Sequence, residues 1–104
     1  MVKVSDKSSE VCVKFPKTSS KFKQNYNLYL FSESGLRYSF KGLEDISEIA
    51  LYYEFNIDFS EVEDGEYEYL IDNIKNDVGI IRIGNVRPTF KENNDSNKII
   101  QYNE

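Results

Sequence analysis

The stretch Ile49-Ala50-Leu51-Tyr52-Tyr53-Glu54-Phe55-Asn56-Ile57-Asp58-Phe59, followed by Glu63-Asp64-Gly65-Glu66-Tyr67-Glu68-Tyr69, decides the fold. In a strand, successive side chains point to opposite faces, so Ile49, Leu51, Tyr53, Phe55, Ile57 and Phe59 share one face. Ala50, Tyr52, Glu54, Asn56, Asp58 and Ser60 share the other. A helix would scatter the six apolar residues around its circumference, so a period of two assigns a long strand, with Asp64-Gly65 turning the chain into the next one.

Working outward, Glu10 to Phe15 alternates Val11, Val13 and Phe15 against Cys12 and Lys14 and is closed by Pro16, which has no N–H for a ladder. Tyr26 to Ser32 alternates Tyr26, Leu28 and Leu30 against Asn27, Tyr29 and Phe31. Ser32-Glu33-Ser34-Gly35 supplies turn chemistry, with Gly35 free to take a positive φ, and Leu36 to Lys41 returns as a strand. Gly42 to Ser47 has room for one helical turn. Strands are expected again over Glu66 to Asp72 and Val78 to Val86, with Asn73 to Asp77 turning the chain between them.

The totals narrow the function classes. The chain has 104 residues, enough for one domain with its own core and too few for two. Eight Tyr and seven Phe favour strands, and the absence of His removes the commonest acid, base and metal ligand, so no enzyme is expected. Cys12 is the only cysteine, and it reads as a small strand side chain. No apolar run resembles a signal peptide or spans a bilayer, so no membrane association is expected and the chain is expected to leave a cytoplasm only inside an assembly. The net charge of −5 is unevenly divided: residues 1–41 carry +5 and residues 42–104 carry −10.

Several constellations deserve a chemical reading. Glu61, Glu63, Asp64, Glu66 and Glu68 are the only candidates for a metal site, but calcium needs six to eight oxygens converging from a curved loop, and a solvated acidic edge that discourages aggregation is expected instead. No cofactor and no metal ligand is assigned. Lys14, Lys17, Lys21 and Lys23 interleave with Phe15, Phe22 and Tyr26, as in single-strand nucleic-acid binders. Their spacing is irregular and the protein is acidic, so no nucleic-acid partner is expected. Tyr29, Phe31 and Tyr52, on the faces opposite the core, are too many aromatics for a fully wet surface and are read as partner-binding residues.

The string Glu63-Asp64-Gly65-Glu66-Tyr67-Glu68-Tyr69 resembles the acid-x-Gly-x-Tyr-x-Cys pattern that opens the penultimate strand of immunoglobulin domains. The resemblance implies a tyrosine corner at Gly65 and Tyr67, the Tyr67 hydroxyl bonding to the main chain a few residues upstream, with Tyr69 replacing the half-cystine. A broader resemblance rests on Tyr-Asn-Leu-Tyr-Leu (26 to 30), Tyr-Ser-Phe (38 to 40), Leu-Tyr-Tyr-Glu-Phe-Asn-Ile-Asp-Phe (51 to 59), Asp-Gly-Glu-Tyr-Glu-Tyr (64 to 69), Ile-Ile-Arg-Ile-Gly (80 to 84) and Ile-Ile-Gln-Tyr-Asn (99 to 103). In combination these segments look like the small β-sandwich proteins encoded among the virion genes of crAss-like and related phages of Bacteroides-type hosts. That likeness implies a structural part of the virion, an auxiliary capsid or head-fibre component that binds other virion proteins and its own copies as a homo-oligomer. The alternative is a host-surface or carbohydrate-binding module, since tyrosine-rich sandwich faces can stack on sugar rings.

The expected architecture is therefore all-β, an immunoglobulin- or fibronectin-like antiparallel sandwich of six or seven strands. Residues 1–8 are expected to be flexible, 9–90 to form the sandwich, and 91–104 to be a polar tether carrying a C-terminal docking strand. Ile99, Ile100 and Tyr102 are its candidate contacts. The interior is expected to draw on Val11, Val13, Leu28, Leu30, Tyr38, Phe40, Leu51, Tyr53, Phe55, Ile57, Tyr67, Tyr69, Ile81 and Ile83.

Overall fold

The computed structural model describes residues 1–18 and 25–86. Among them the chain is all-β: β1 (Val2–Val4), β2 (Val11–Pro16), β3 (Asn25–Ser32), β4 (Gly35–Glu44), β5 (Tyr52–Ile57), β6 (Gly65–Ile71) and β7 (Asp77–Ile83). They form a five-stranded sheet in the order β1-β7-β6-β3-β4 and a two-stranded sheet, β2-β5. This arrangement of two sheets is compatible with a β-sandwich. All neighbours are antiparallel except β1 and β7, which run parallel with Val2 opposite Ile81 and Val4 opposite Ile83.

The core lies between the sheets because each strand sends alternate residues inward. Phe15, Tyr53, Phe55 and Ile57 come from the small sheet, and Val2, Val4, Leu28, Leu30, Tyr67, Tyr69, Ile71, Ile81 and Ile83 from the large one. Aromatic rings supply much of the contact between layers: Phe15 meets Tyr69 edge-on at 4.9 Å between centroids, and Tyr26 meets Tyr53 in the same way at 4.9 Å. Val11, Tyr38, Phe40 and Leu43 pack against this cluster at its margin.

The decisive strand is shorter than the alternation suggests. Its partner β2 ends where Pro16 faces Tyr52, and one further bond, from the Lys17 N–H to the Leu51 carbonyl at 2.9 Å, closes the pairing. Before Tyr52 the chain bends, held by the Ser47 hydroxyl on the carbonyls of Ile49 and Tyr52. Leu51, expected inside, is therefore 68% exposed, and Ile49 is exposed as well. At the other end Phe59 lies beyond the strand yet remains fully buried against Phe40.

Two further expectations are corrected. Residues 2–4, read as part of a flexible start, are β1, and Val2 and Val4 are buried against β7. Two valines flanking one lysine are too short a period to detect without a partner strand. No helical turn forms over Gly42 to Ser47: β4 continues to Glu44, and Asp45 then accepts the N–H groups of Ser47 and Glu54. Gly35, at φ 111°, makes the tight return between β3 and β4. Ile99, Ile100 and Tyr102 lie outside the described residues.

Candidate binding surface

The outward face of the five-stranded sheet carries two cross-strand rows. Register places Val78, Leu70, Tyr29 and Ser39 side by side, and next to them Ile80, Glu68, Phe31 and Leu36. Directly opposed side chains on a sheet face lie close enough to shield one another, which leaves Tyr29, Phe31, Leu70 and Ile80 half-buried. Val78 and Leu36, at the two ends of the rows, are 66% and 57% exposed. The Arg82–Glu66 ion pair, 3.2 Å long, borders the patch on β6 and β7. The surface is thus an apolar array with one carboxylate, Glu68, in its second row.

Of the sequence candidates, Tyr29 and Phe31 stand together on this face. Tyr52 does not join them: it lies on β5 in the other sheet, where Lys14 Nζ sits 5.9 Å above its ring. Leu36, Leu70 and Val78 were missed as members of the surface. Nothing in their local pattern marks them; only the register of β3 with β4 and β6 brings them beside Phe31 and Tyr29.

Tyr67 donates its hydroxyl hydrogen to the Glu63 carbonyl, four residues upstream, at 2.7 Å. The Glu63 N–H in turn donates to Tyr38 Oη at 3.1 Å, and the two tyrosine rings meet edge-on. Burial, followed by its contact with Tyr38, pushes the Tyr67 phenol up to about 12, so it remains a donor across the physiological range. Gly65 is not among the positive-φ glycines, and a Cβ there would meet the Tyr67 ring at an ordinary 3.5 Å. The corner geometry uses Tyr67 and makes no demand for glycine at 65.

A second polar cluster is internal. Asp77, 2% exposed, accepts hydrogen bonds from the Tyr53 hydroxyl and from the N–H and hydroxyl of Thr18. Asn73 Nδ2 donates to Tyr53 Oη at 2.7 Å. Burial and the Asp77 contact raise the Tyr53 phenol well above its usual range, so it stays protonated. Beside it, Lys17 Nζ bonds Asp45 at 2.9 Å and lies 4.7 Å over the Tyr53 ring, with both side chains of the ion pair largely buried. These groups tie the end of β2 to β5 and to the β6–β7 turn. Asn73 and Asp77 read in sequence only as turn formers.

The acidic residues of the 61–68 stretch are dispersed. Asp64 pairs with Lys7 at 2.5 Å and accepts the Asn85 N–H, Glu66 pairs with Arg82, and Glu63 reaches Arg37 at 3.4 Å. Among the described residues no group of three or more potential ligands could hold a metal. Of the lysine-aromatic string, Phe15 and Tyr26 are buried and Lys17 is engaged internally, so these residues offer no stacking platform; residues 19–24 are outside the description. Cys12 is exposed on β2. No helix of the described residues is long and apolar enough to cross a membrane. No protein-family model matches the chain, and no curated protein or solved structure matches it.

Proposed function

We propose that this chain is a non-enzymatic, immunoglobulin-like binding module that serves as a structural part of a phage particle, of the auxiliary capsid or head-fibre kind. Its contact with other virion proteins, its own copies included, is made by the outer face of the five-stranded sheet. The immunoglobulin reading is supported by strand order. A parallel first-to-last pair at one edge, then β6, β3 and β4, set against β2-β5, is the order of an immunoglobulin sandwich that lacks one edge strand of its smaller sheet. It is also supported by the Phe15–Tyr69 contact, which joins the second and sixth strands where antibody domains carry their inter-sheet disulfide, two residues after the corner tyrosine. The virion assignment rests on the sequence resemblance.

The observation that carries the binding role is the pair of apolar rows on an outward sheet face. Aromatic and branched residues gathered on a single face mark a contact surface, whereas scattered exposed apolar residues do not. The test is association of the purified chain with itself and with the particle's other proteins, followed by sedimentation. Phe31→Ser combined with Val78→Asp should abolish it, and Tyr52→Ser on the other sheet should leave it intact. Unchanged association in the double variant, with loss in Tyr52→Ser, would place the contact on the small sheet instead.

A further inference from the structure

A cleft of about 750 Å³ opens along the side of the domain where β1 and β2 run past each other without pairing. Its lining includes Val2, Cys12, Val13, Tyr69, Val78 and Ile80. Two strand edges meet it. β2 pairs with β5 on one flank only, so among the described residues the other flank of Val11–Pro16 has no ladder partner. β7 is covered by β1 only from Ile81 to Ile83. The Gly84 N–H donates to the Val4 carbonyl at 2.7 Å. Main-chain groups alternate along a strand, so residues 82, 80 and 78 turn theirs to the same side. The Ile80 N–H and both main-chain groups of Val78 therefore project into the cleft before β1 begins.

We infer that this cleft is a strand-receiving site, and that its occupant is the C-terminal segment Lys98–Tyr102 of the same chain. The segment has the chemistry of an added strand, with Ile100 and Tyr102 on one side and Ile99 and Gln101 on the other. It also has the reach. The described chain ends at Val86, just past β7, and the eleven residues from 87 to 97 can extend over about 36 Å at ~3.3 Å each. The way back along β7 from Ile83 to Val78 is five residues, about 17 Å. A chain that leaves β7 and returns beside it arrives antiparallel, the orientation that a connection without a crossover permits. A short tether holds its end at an effective concentration on the order of millimolar, so the segment outcompetes the same segment of a free copy.

Two experiments on the full-length chain test this. In the first, single cysteines are placed in turn at positions 99, 100, 101 and 102, and oxidation is followed on non-reducing gels, with Asn93→Cys as the tether control. The native Cys12, exposed and lining the cleft, is the reporter. Occupancy of the chain's own cleft predicts rapid closure to a monomeric disulfide at one or more of these positions. Preferential disulfide-linked dimers would assign the cleft to a neighbour's segment, and closure no faster than in the Asn93→Cys control would mean that the cleft holds no such strand; either result overturns the inference. In the second, amide exchange is compared between the wild type and Ile100→Asp/Tyr102→Asp. The Val78 and Ile80 amides should exchange faster by on the order of tenfold or more in the variant, while the Ile81 amide, turned toward β6, is unchanged. Equal exchange in both proteins contradicts the inference.

Discussion

Replacing Asp77 with Ala should be among the most damaging single changes in the domain. Asp77 is 2% exposed and takes hydrogen bonds from Tyr53 and twice from Thr18. Thr18 is exposed and can turn to water after the substitution. The Tyr53 hydroxyl cannot, because its ring is fully buried among Tyr26 and Phe55. A buried hydroxyl hydrogen left without an acceptor costs ~1–3 kcal/mol, and losing a charge-assisted hydrogen bond adds ~1.5–3 kcal/mol, for a total of roughly 2.5–6 kcal/mol. At ~4–8 °C per kcal/mol for a domain of this size, the melting temperature should fall by roughly 10 °C or more. Tyr53→Phe removes the same contact and the acceptor of Asn73 Nδ2, but leaves no phenol hydrogen orphaned, and should cost only ~1–2 kcal/mol. The double variant should then be less destabilised than the two single changes added together, by ~1 kcal/mol or more, because the trapped hydroxyl is gone. Urea unfolding of the four proteins measures this cycle. Additive effects, or a cost of less than ~1 kcal/mol for Asp77→Ala, would refute the view that this cluster is a buried and mutually dependent unit.

Tyr67→Phe, which deletes the bond to the Glu63 carbonyl, should lower stability by ~1 kcal/mol in the same urea assay. Gly65→Ala should be close to neutral, whereas Gly84→Ala should be far worse, because Gly84 sits at φ +79° and a Cβ there would collide with the Asp64 carboxylate. Acid should destabilise the fold through Asp45. Burial alone would raise its carboxyl, but the N–H of Glu54, the Lys17 ammonium and the N–H of Ser47 outweigh it and bring the folded value below 3.8. A group depressed on folding contributes above its unfolded pKa and loses that contribution as pH falls through the folded value. Stability should therefore hold down to about pH 5 and drop below about pH 4, and Asp45→Asn should be less stable at neutral pH with a shallower acid limb. Added calcium should leave the melting temperature unchanged, since Glu63, Asp64 and Glu66 already face Arg37, Lys7 and Arg82. A calcium-dependent rise that Asp64→Asn abolishes would contradict this.

The strand grammar was readable wherever a run of alternating residues coincided with a paired strand. Tyr53, Phe55 and Ile57 face inward as their period requires, as do Leu28, Leu30, Tyr67, Tyr69, Ile81 and Ile83. It failed where the signal was set by a distant partner. Leu51 keeps the period but loses burial because it lies past the last paired residue of its partner strand β2, where the Ser47 hydroxyl bends the chain. Val2 and Val4 gain burial from β7, nearly eighty residues away. The outward apolar face proposed for binding was half legible: Tyr29 and Phe31 announce themselves as aromatics on the polar side of a strand. Leu70 and Val78 become neighbours only through register, which local pattern does not fix. Asp77 and Asn73 were hidden because turn formers and buried hydrogen-bonding anchors are the same residue types.

The measurement that bears most directly on the proposed role is a cryo-electron microscopy map of particles of the phage proposed to encode this chain, searched for a domain with this strand order. The account predicts that the chain is found in the particle, with the outer face of β3, β6 and β7 around Phe31, Leu70 and Val78 covered by a neighbouring subunit. Particles without the chain, or a bound domain whose Phe31 face lies open to solvent while another surface makes the contact, would contradict it.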